Sequence, residues 1–328
     1  MPLRVIEFRQ LAQILSMFMI VQFFGLLLAT QVFSGATYQQ VKSAQIVSSP
    51  ASVLFYVIYI VIVSALLLFI LKVYKGRILF IIFEGAVILL ASFIVFSIII
   101  AIAARTAQSE FLAQGGILTF VAALIPAIAL VVAKNRLPWL RNAAAIIASV
   151  GVGLALGISF GFTLAFLFMA ALGVYDFIAV FITKHMVALG DMAMQNNLSF
   201  LIMVRETKAV PLSYLSPAER KEYMKSRKAL ERQGGLVNRL TRQNMALVPA
   251  LTALGTGDLA VPLMVAVSAY KVSLNFVLSF FIVLGSMLGL LLNMLVLRKY
   301  KRILPAIPLL FAGIVVGISA YYALFVLL

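Results

Sequence analysis

Long apolar segments alternate with short polar ones along most of the 328-residue chain. A helix that crosses a bilayer needs about 20 predominantly apolar residues, with a range of about 17–25. By this rule the pattern predicts nine transmembrane helices, joined by short loops except for one long polar segment from Thr183 to Met245. The predicted spans lie near Leu11–Phe33, Ala51–Leu71, Ile78–Ala103, Ile117–Val132, Ala143–Gly157, Phe160–Ile182, Ala246–Ala269, Leu274–Leu297 and Ile303–Leu328.

The distribution of basic residues agrees with nine spans and predicts their orientation. With nine spans, 23 of the 26 lysine and arginine residues fall on one side of the membrane, and Lys42, Arg105 and Lys271 are the exceptions. Because basic residues are enriched in cytoplasmic loops, the N-terminus is expected in the cytoplasm and the C-terminus outside. Only Ile158 and Ser159 separate the fifth span from the sixth, so eight spans are an alternative. Removing any span, however, would disrupt the alternation of charge.

Composition indicates an all-α polytopic membrane protein with little soluble mass. The chain is 64% hydrophobic and 11% charged, whereas soluble domains are about half apolar and a quarter charged. We therefore predict one membrane domain, residues 1–328, with spans in 11–182, a cytoplasmic loop over 183–245 and further spans in 246–328. The absence of cysteine excludes disulfides and a cysteine nucleophile. The net charge of +16 is attributed to topology and to anionic lipids rather than to nucleic acid.

Three acidic residues lie inside apolar runs, where a carboxylate is costly and marks a candidate functional site. They are Asp176, Asp258 and Glu84. Asp176 lies eight residues before Lys184, and Asp258 lies nine residues after Pro249. With a helical rise of about 1.5 Å per residue, both aspartates are expected roughly 12–14 Å from the cytoplasmic boundary. Consecutive antiparallel helices would then bring the two carboxylates face to face.

Such a pair has a defined chemistry. Two carboxylates a few ångströms apart do not both ionise, so the pair shares one proton. The ionised aspartate activates water and the protonated one donates to a carbonyl oxygen, as in an aspartyl protease. The alternative is that each aspartate separately binds a backbone group. No basic residue lies in the middle of a predicted span, so no buried basic partner is expected, and no motif supports a catalytic role for Glu84.

Two further segments have unusual backbone requirements. Gly255 and Gly257 flank Thr256 immediately before the acid of "GTGD", and glycine permits close backbone approach and irregular turns. In "LPAIP", Pro305 and Pro308 withhold two backbone N–H groups and disfavour a regular helix just before them. Ordinary helix packing and an ordinary helix start remain the alternatives.

Together, "VYDFIAVF", "GTGD" and "LPAIP" resemble, in order, the YD, GxGD and PAL motifs of the presenilin and signal peptide peptidase family of intramembrane aspartyl proteases. The resemblance covers the whole chain and is closest to presenilin, as in a compact microbial member. It implies that Asp176 and Asp258 are the catalytic pair. The residues it implies as supporting or substrate-binding are Tyr175, Gly255, Thr256, Gly257, Leu304, Pro305, Ala306 and Ile307. Thr256 and Ile307 replace leucines that are frequent in the family motifs.

The resemblance also implies the partners and the location. Substrates are expected to be transmembrane helical proteins, membrane lipids are expected neighbours, and neither a metal nor a cofactor is expected. An oligomer is compatible with the sequence, and the expected location is the plasma membrane of a microbial cell. Two alternatives stay open at this point. One is an ion or proton conductor that uses the aspartates as a relay. The other is a prepilin-type peptidase, which shares GxGD but lacks the PAL pattern.

Overall fold

The computed structural model describes residues 8–33, 55, 58, 59, 62, 77–107, 116–182, 201–211, 245–300 and 305–325. This part of the chain forms helices and one antiparallel pair of strands. In chain order the elements are α1 Phe8–Phe33, α2 Arg77–Thr106, α3 Ile117–Arg136, α4 Pro138–Ser159, α5 Phe162–Phe181, β1 Leu201–Pro211, β2 Met245–Gly255, α6 Thr256–Ser273, α7 Phe276–Tyr300 and α8 Ile307–Phe325.

Seven helices in the described ranges are long and apolar enough to cross a bilayer, namely α1 to α5, α7 and α8. The predicted helical membrane architecture is confirmed to this extent, but the fold is not strictly all-α, because the described residues include one pair of strands. The predicted fifth and sixth spans are separate helices, since α4 ends at Ser159 and α5 begins at Phe162. Most of the predicted second span, Ala51–Leu71, lies outside the described residues, as does most of the predicted loop over 183–245.

Helix α6 lies at the centre of the bundle and is buried on nearly all sides. Helices α1, α4, α5 and α7 pack around it, which explains why its sequence is apolar without one preferred face. The contact with α4 is closest at Gly153 and Gly157. A Cβ atom at Gly153 would lie 2.9 Å from the Ala260 carbonyl oxygen, and one at Gly157 would lie 2.6 Å from Val267 Cβ. Only glycine permits this approach, as is common where membrane helices cross.

The strand pair corrects the predicted seventh span, Ala246–Ala269. Residues 245–255 form β2, which pairs antiparallel with β1 in a register that matches Leu201 with Gly255 and Pro211 with Met245. The helix therefore begins at Thr256, and the prediction of helix from Ala246 was wrong. The physical reason is that a short apolar run is compatible with a helix or with a strand, and pairing with another segment decides between them.

Two basic residues that the sequence pattern placed in loops are buried in the bundle. Lys134 lies in the last turn of α3, and its Nζ is 2.7 Å from Oε1 of Glu84 on α2, with both side chains 3% exposed. Lys271 lies in the last turn of α6 and donates to the Ile158 carbonyl at 2.6 Å. Of the three acids inside apolar runs, Glu84 is therefore held in a buried ion pair with Lys134.

Candidate active site

Asp176 lies in the C-terminal part of α5, on the face that meets α6 and α8, and is 7% exposed. One turn earlier, Gly173 brings α5 close to the start of α8. A Cβ atom there would lie 3.7 Å from Cα of Pro308, which is ordinary van der Waals contact. Tyr175, the residue before the aspartate, is half-buried. Packing of α5 against α8 therefore places Asp176 beside Pro305, Ala306 and Ile307, which we call the PAL-like segment.

The PAL-like segment contacts Asp176 through its backbone. The Ile307 N–H donates to Asp176 Oδ2 at 3.3 Å, and the Ala306 backbone also interacts with this carboxylate. Helix α8 begins at Ile307, so Pro305 and Ala306 precede the helix, and all three residues are buried. Because the first N–H groups of a helix have no partner within it, they are available to a carboxylate. Leu304, also expected at the site, lies outside the described residues.

Asp258 lies in the first turn of α6, directly after β2. Gly255 precedes the helix in an extended conformation, and its backbone donates a hydrogen bond to the Asp258 carboxylate. A carboxylate at this third helical position satisfies a free N–H and is favoured by the helix dipole. Thr256 and Asp258 are half-buried, whereas Gly257 is exposed. The GTGD segment therefore forms a helix start whose acid is held by its own backbone.

The two carboxylates are close enough to interact electrostatically, because α5 packs directly against α6. The expected depth of Asp258, however, needs correction. It was counted as helical rise from Pro249, whereas Met245–Gly255 form strand β2. A strand rises about 3.3 Å per residue rather than about 1.5 Å. Asp258 therefore reaches Asp176 from the start of a helix and not from the middle of one.

Sequence reasoning missed two side chains that bind the backbone around Asp258. Gln22 on α1 donates from Nε2 to the Leu259 carbonyl at 2.8 Å. Ser149 on α4 donates to the Thr256 carbonyl at 3.3 Å and to Ala145 of its own helix at 2.8 Å. Both residues are buried. Their only signal in the sequence is a polar side chain within an apolar span, which does not say what it contacts.

The described ranges contain no group of three or more histidine, cysteine, aspartate or glutamate residues arranged to hold a metal ion.

Membrane-spanning helices that bring two aspartates within electrostatic range match the arrangement expected of an intramembrane aspartate protease. A family model described as "Signal-peptide peptidase, presenilin aspartyl protease" matches residues 15–326. The chain belongs to this family, and the resemblance found in its motifs is confirmed. The protein is accordingly a multi-pass membrane enzyme and a hydrolase.

Solved structures agree with the family at the level of the fold. One similar chain is described as a presenilin family intramembrane aspartate protease in a C222 space group. It is 20% identical, with a TM-score of 0.56 over 96% of this chain and 98% of that chain. A second, in a P2 space group, is 20% identical, with a TM-score of 0.54 over 94% and 96%. A search of curated protein sequences gives no significant match.

The two glycines of GTGD have different surroundings, and this leads to a prediction. A Cβ atom at Gly255 would lie 3.3 Å from Asp258 Oδ2, whereas one at Gly257 would have no atom within 4 Å. Gly255→Ala therefore displaces the carboxylate, and we expect kcat for peptide cleavage to fall about tenfold, since small misplacements of reacting groups are costly. Gly257→Ala is the matched control and should stay within roughly twofold of the unmodified protein. Equal kcat values for the two variants would contradict the prediction.

Proposed function

We propose that the protein cleaves peptide bonds within transmembrane helices, with Asp176 and Asp258 as the general acid and general base. The observation that carries this proposal is that α5 packs against α6 with the two carboxylates within range of electrostatic interaction. The ionised aspartate takes a proton from water, which attacks the peptide carbonyl carbon. The protonated aspartate donates to the carbonyl oxygen, which gives a tetrahedral diol. As the C–N bond breaks, the first aspartate passes the proton taken from water to the leaving nitrogen, and one diol hydroxyl returns its proton to the second aspartate as the carboxyl group forms. Each acid contributes typically about 10²–10⁴-fold to such a reaction.

Backbone groups hold both acids in position for this reaction. The Ile307 N–H donates to Asp176, and the Gly255 backbone donates to Asp258. These backbone donors stabilise the negative charge of the carboxylates, and neither is a basic side chain that would form a competing ion pair with them. Which aspartate is ionised first is a property of the pair rather than of either residue.

The substrate must unwind before its peptide bond can react, because a helix hides its amides in internal hydrogen bonds. We propose that the unwound segment takes backbone partners from Pro305, Ala306 and Ile307, in the manner of strand addition. Support comes from their position, since Pro305 and Ala306 precede α8 in non-helical conformation next to Asp176. Tyr175, Gly255 and Thr256 complete the proposed lining. Water is expected to reach the acids through a polar cavity that opens toward the cytoplasm.

The proposed topology has nine spans with the N-terminus in the cytoplasm and the C-terminus outside. It adds α6 and the predicted span at Ala51–Leu71 to the seven apolar helices. Although α6 has only 18 residues, its burial at the bundle centre removes the need for an apolar surface toward lipid. The charge distribution supports the orientation.

Proteolysis by the purified protein in lipid vesicles tests the function. The substrate is a single transmembrane helix of known orientation, and both fragments are identified by mass spectrometry. Appearance of paired fragments with the unmodified protein supports proteolysis. Ion or proton flux through the same vesicles without any cleavage would instead favour the conductor, and cleavage only at the cytoplasmic border of the substrate would favour prepilin-type processing.

The position of the cut is a further prediction. Asp176 lies five residues before the end of α5 at Phe181. This places it about 8 Å along the helix from its end. Half of a bilayer core is about 15 Å thick, so we expect the scissile bond in the cytoplasmic half of the substrate helix. A glycine pair introduced there should accelerate cleavage, because glycine lowers helix stability by about 1 kcal/mol per residue. The same pair moved to the external third is the control, and cuts in that third would contradict the prediction.

A further inference from the structure

Gln22 belongs to none of the sequence motifs, yet it contacts the residue that follows Asp258. It lies on α1, has no solvent exposure, and donates from Nε2 to the Leu259 carbonyl at 2.8 Å. Its other amide atom, Oε1, is also buried and has no hydrogen-bond partner among the described residues. Within the described part of the chain, the hydrogen bond from this side chain is therefore directed at the backbone of α6.

The backbone at this point of α6 is weakly held by the helix itself. Pro262 lies inside α6 and has no N–H, so the Asp258 carbonyl, four residues earlier, lacks its usual helical partner. The residue before the helix, Gly255, offers no side-chain cap. The first turn therefore lacks two of the interactions that usually fix a helix start.

Side chains from neighbouring helices bind the two sides of this turn. Gln22 binds the Leu259 carbonyl from α1, and Ser149 binds the Thr256 carbonyl from α4 at 3.3 Å. Asp258 lies between the two bound carbonyls. The Gln22 hydrogen bond is the shorter of the two. The Ser149 hydroxyl also donates to the Ala145 carbonyl of its own helix.

We propose that Gln22 is a positioning residue that holds the first turn of α6, and with it the Asp258 carboxylate, in place against α5. This inference rests on the proposed function, because it takes Asp258 as catalytic. A role in the stability of the fold alone does not explain why this buried residue is a glutamine. An apolar residue of similar size fills the same space without burying an unpaired oxygen, and hydrogen bonds between membrane helices contribute little on average.

The test compares Gln22→Met with Gln13→Met in the full-length protein. Methionine has a similar length and no donor. Gln13 lies on the same helix and also carries a buried Oε1 without a partner in the described ranges, but it makes no bond to α6 that the structure records. We expect Gln22→Met to lower kcat about tenfold, as for a misplaced reacting group, and to weaken binding of a hydroxyl-bearing transition-state mimic by a similar factor. KM and the thermal unfolding temperature should stay unchanged, and Gln13→Met should behave as the unmodified protein.

Each other outcome has a defined meaning. An unchanged kcat in Gln22→Met would overturn the positioning role. So would loss of folding in Gln22→Met alone, or a fall in kcat no larger than expected from a matching fall in folded protein, because either result assigns Gln22 to stability. Asp258→Asn is measured in parallel. If that variant keeps its activity, the proposed function itself fails, and this result is distinct from failure of the Gln22 proposal.

Discussion

Asp176→Asn and Asp258→Asn each abolish cleavage of a single-span substrate, while the protein still inserts into the membrane and purifies. The expected loss is at least about 10²–10⁴-fold, because an amide can neither take the proton from water nor supply one to the carbonyl oxygen. Stability should not fall in either variant, since asparagine has nearly the same shape and removes the repulsion between the two carboxylates. Cleavage is measured by fragment formation in vesicles, and stability by thermal unfolding in detergent.

Glu110→Gln is the matched control, since it makes the same change from acid to amide in a segment that the sequence places in a loop between helices. It should cleave at the rate of the unmodified protein. If either aspartate variant retains most of its activity, that aspartate is not part of the acid and base pair. Loss of folding in both variants would instead give the acids a structural role.

Lys134→Met lowers the free energy of unfolding by about 3–5 kcal/mol, because it leaves Glu84 as a buried charge without its ion-pair partner. The pair joins α2 to α3 at 2.7 Å, with both side chains 3% exposed. The double variant Glu84→Met/Lys134→Met should recover most or all of this stability, since apolar side chains of similar volume often replace a buried ion pair without loss. Chemical unfolding of four proteins in detergent, namely the unmodified protein, Glu84→Met, Lys134→Met and the double variant, measures the coupling as a double-mutant cycle.

Arg136→Met provides the control for this cycle. Arg136 lies in the same last turn of α3 but is exposed, so its replacement should change the unfolding free energy by no more than about 0.5 kcal/mol. Equal stability of Lys134→Met and Arg136→Met would show that the pair contributes nothing. Failure of the double variant to recover would show that Glu84 and Lys134 stabilise the bundle through separate contacts.

The sequence alone determined the class of the fold, most of the helices and the family. Apolar runs of about 20 residues have few alternatives to a membrane helix, because the bilayer offers no water to unpaired backbone groups. The predicted sixth span, Phe160–Ile182, accordingly corresponds to α5 at Phe162–Phe181. The ordered motifs "VYDFIAVF", "GTGD" and "LPAIP" identified the family that the comparison confirms. These features depend on local composition or on short motifs, which a sequence displays directly.

Only the tertiary structure decided the features that depend on a distant partner. The apolar run at 245–255 became a strand because residues 201–211 pair with it. Lys134 is buried because Glu84, on another helix, accepts its hydrogen bond. The same holds for the Ile307 N–H at Asp176 and for Gln22 at Leu259. Each of these contacts joins residues that are tens to hundreds of positions apart, and hydropathy measures how apolar a segment is without recording which segment packs against it.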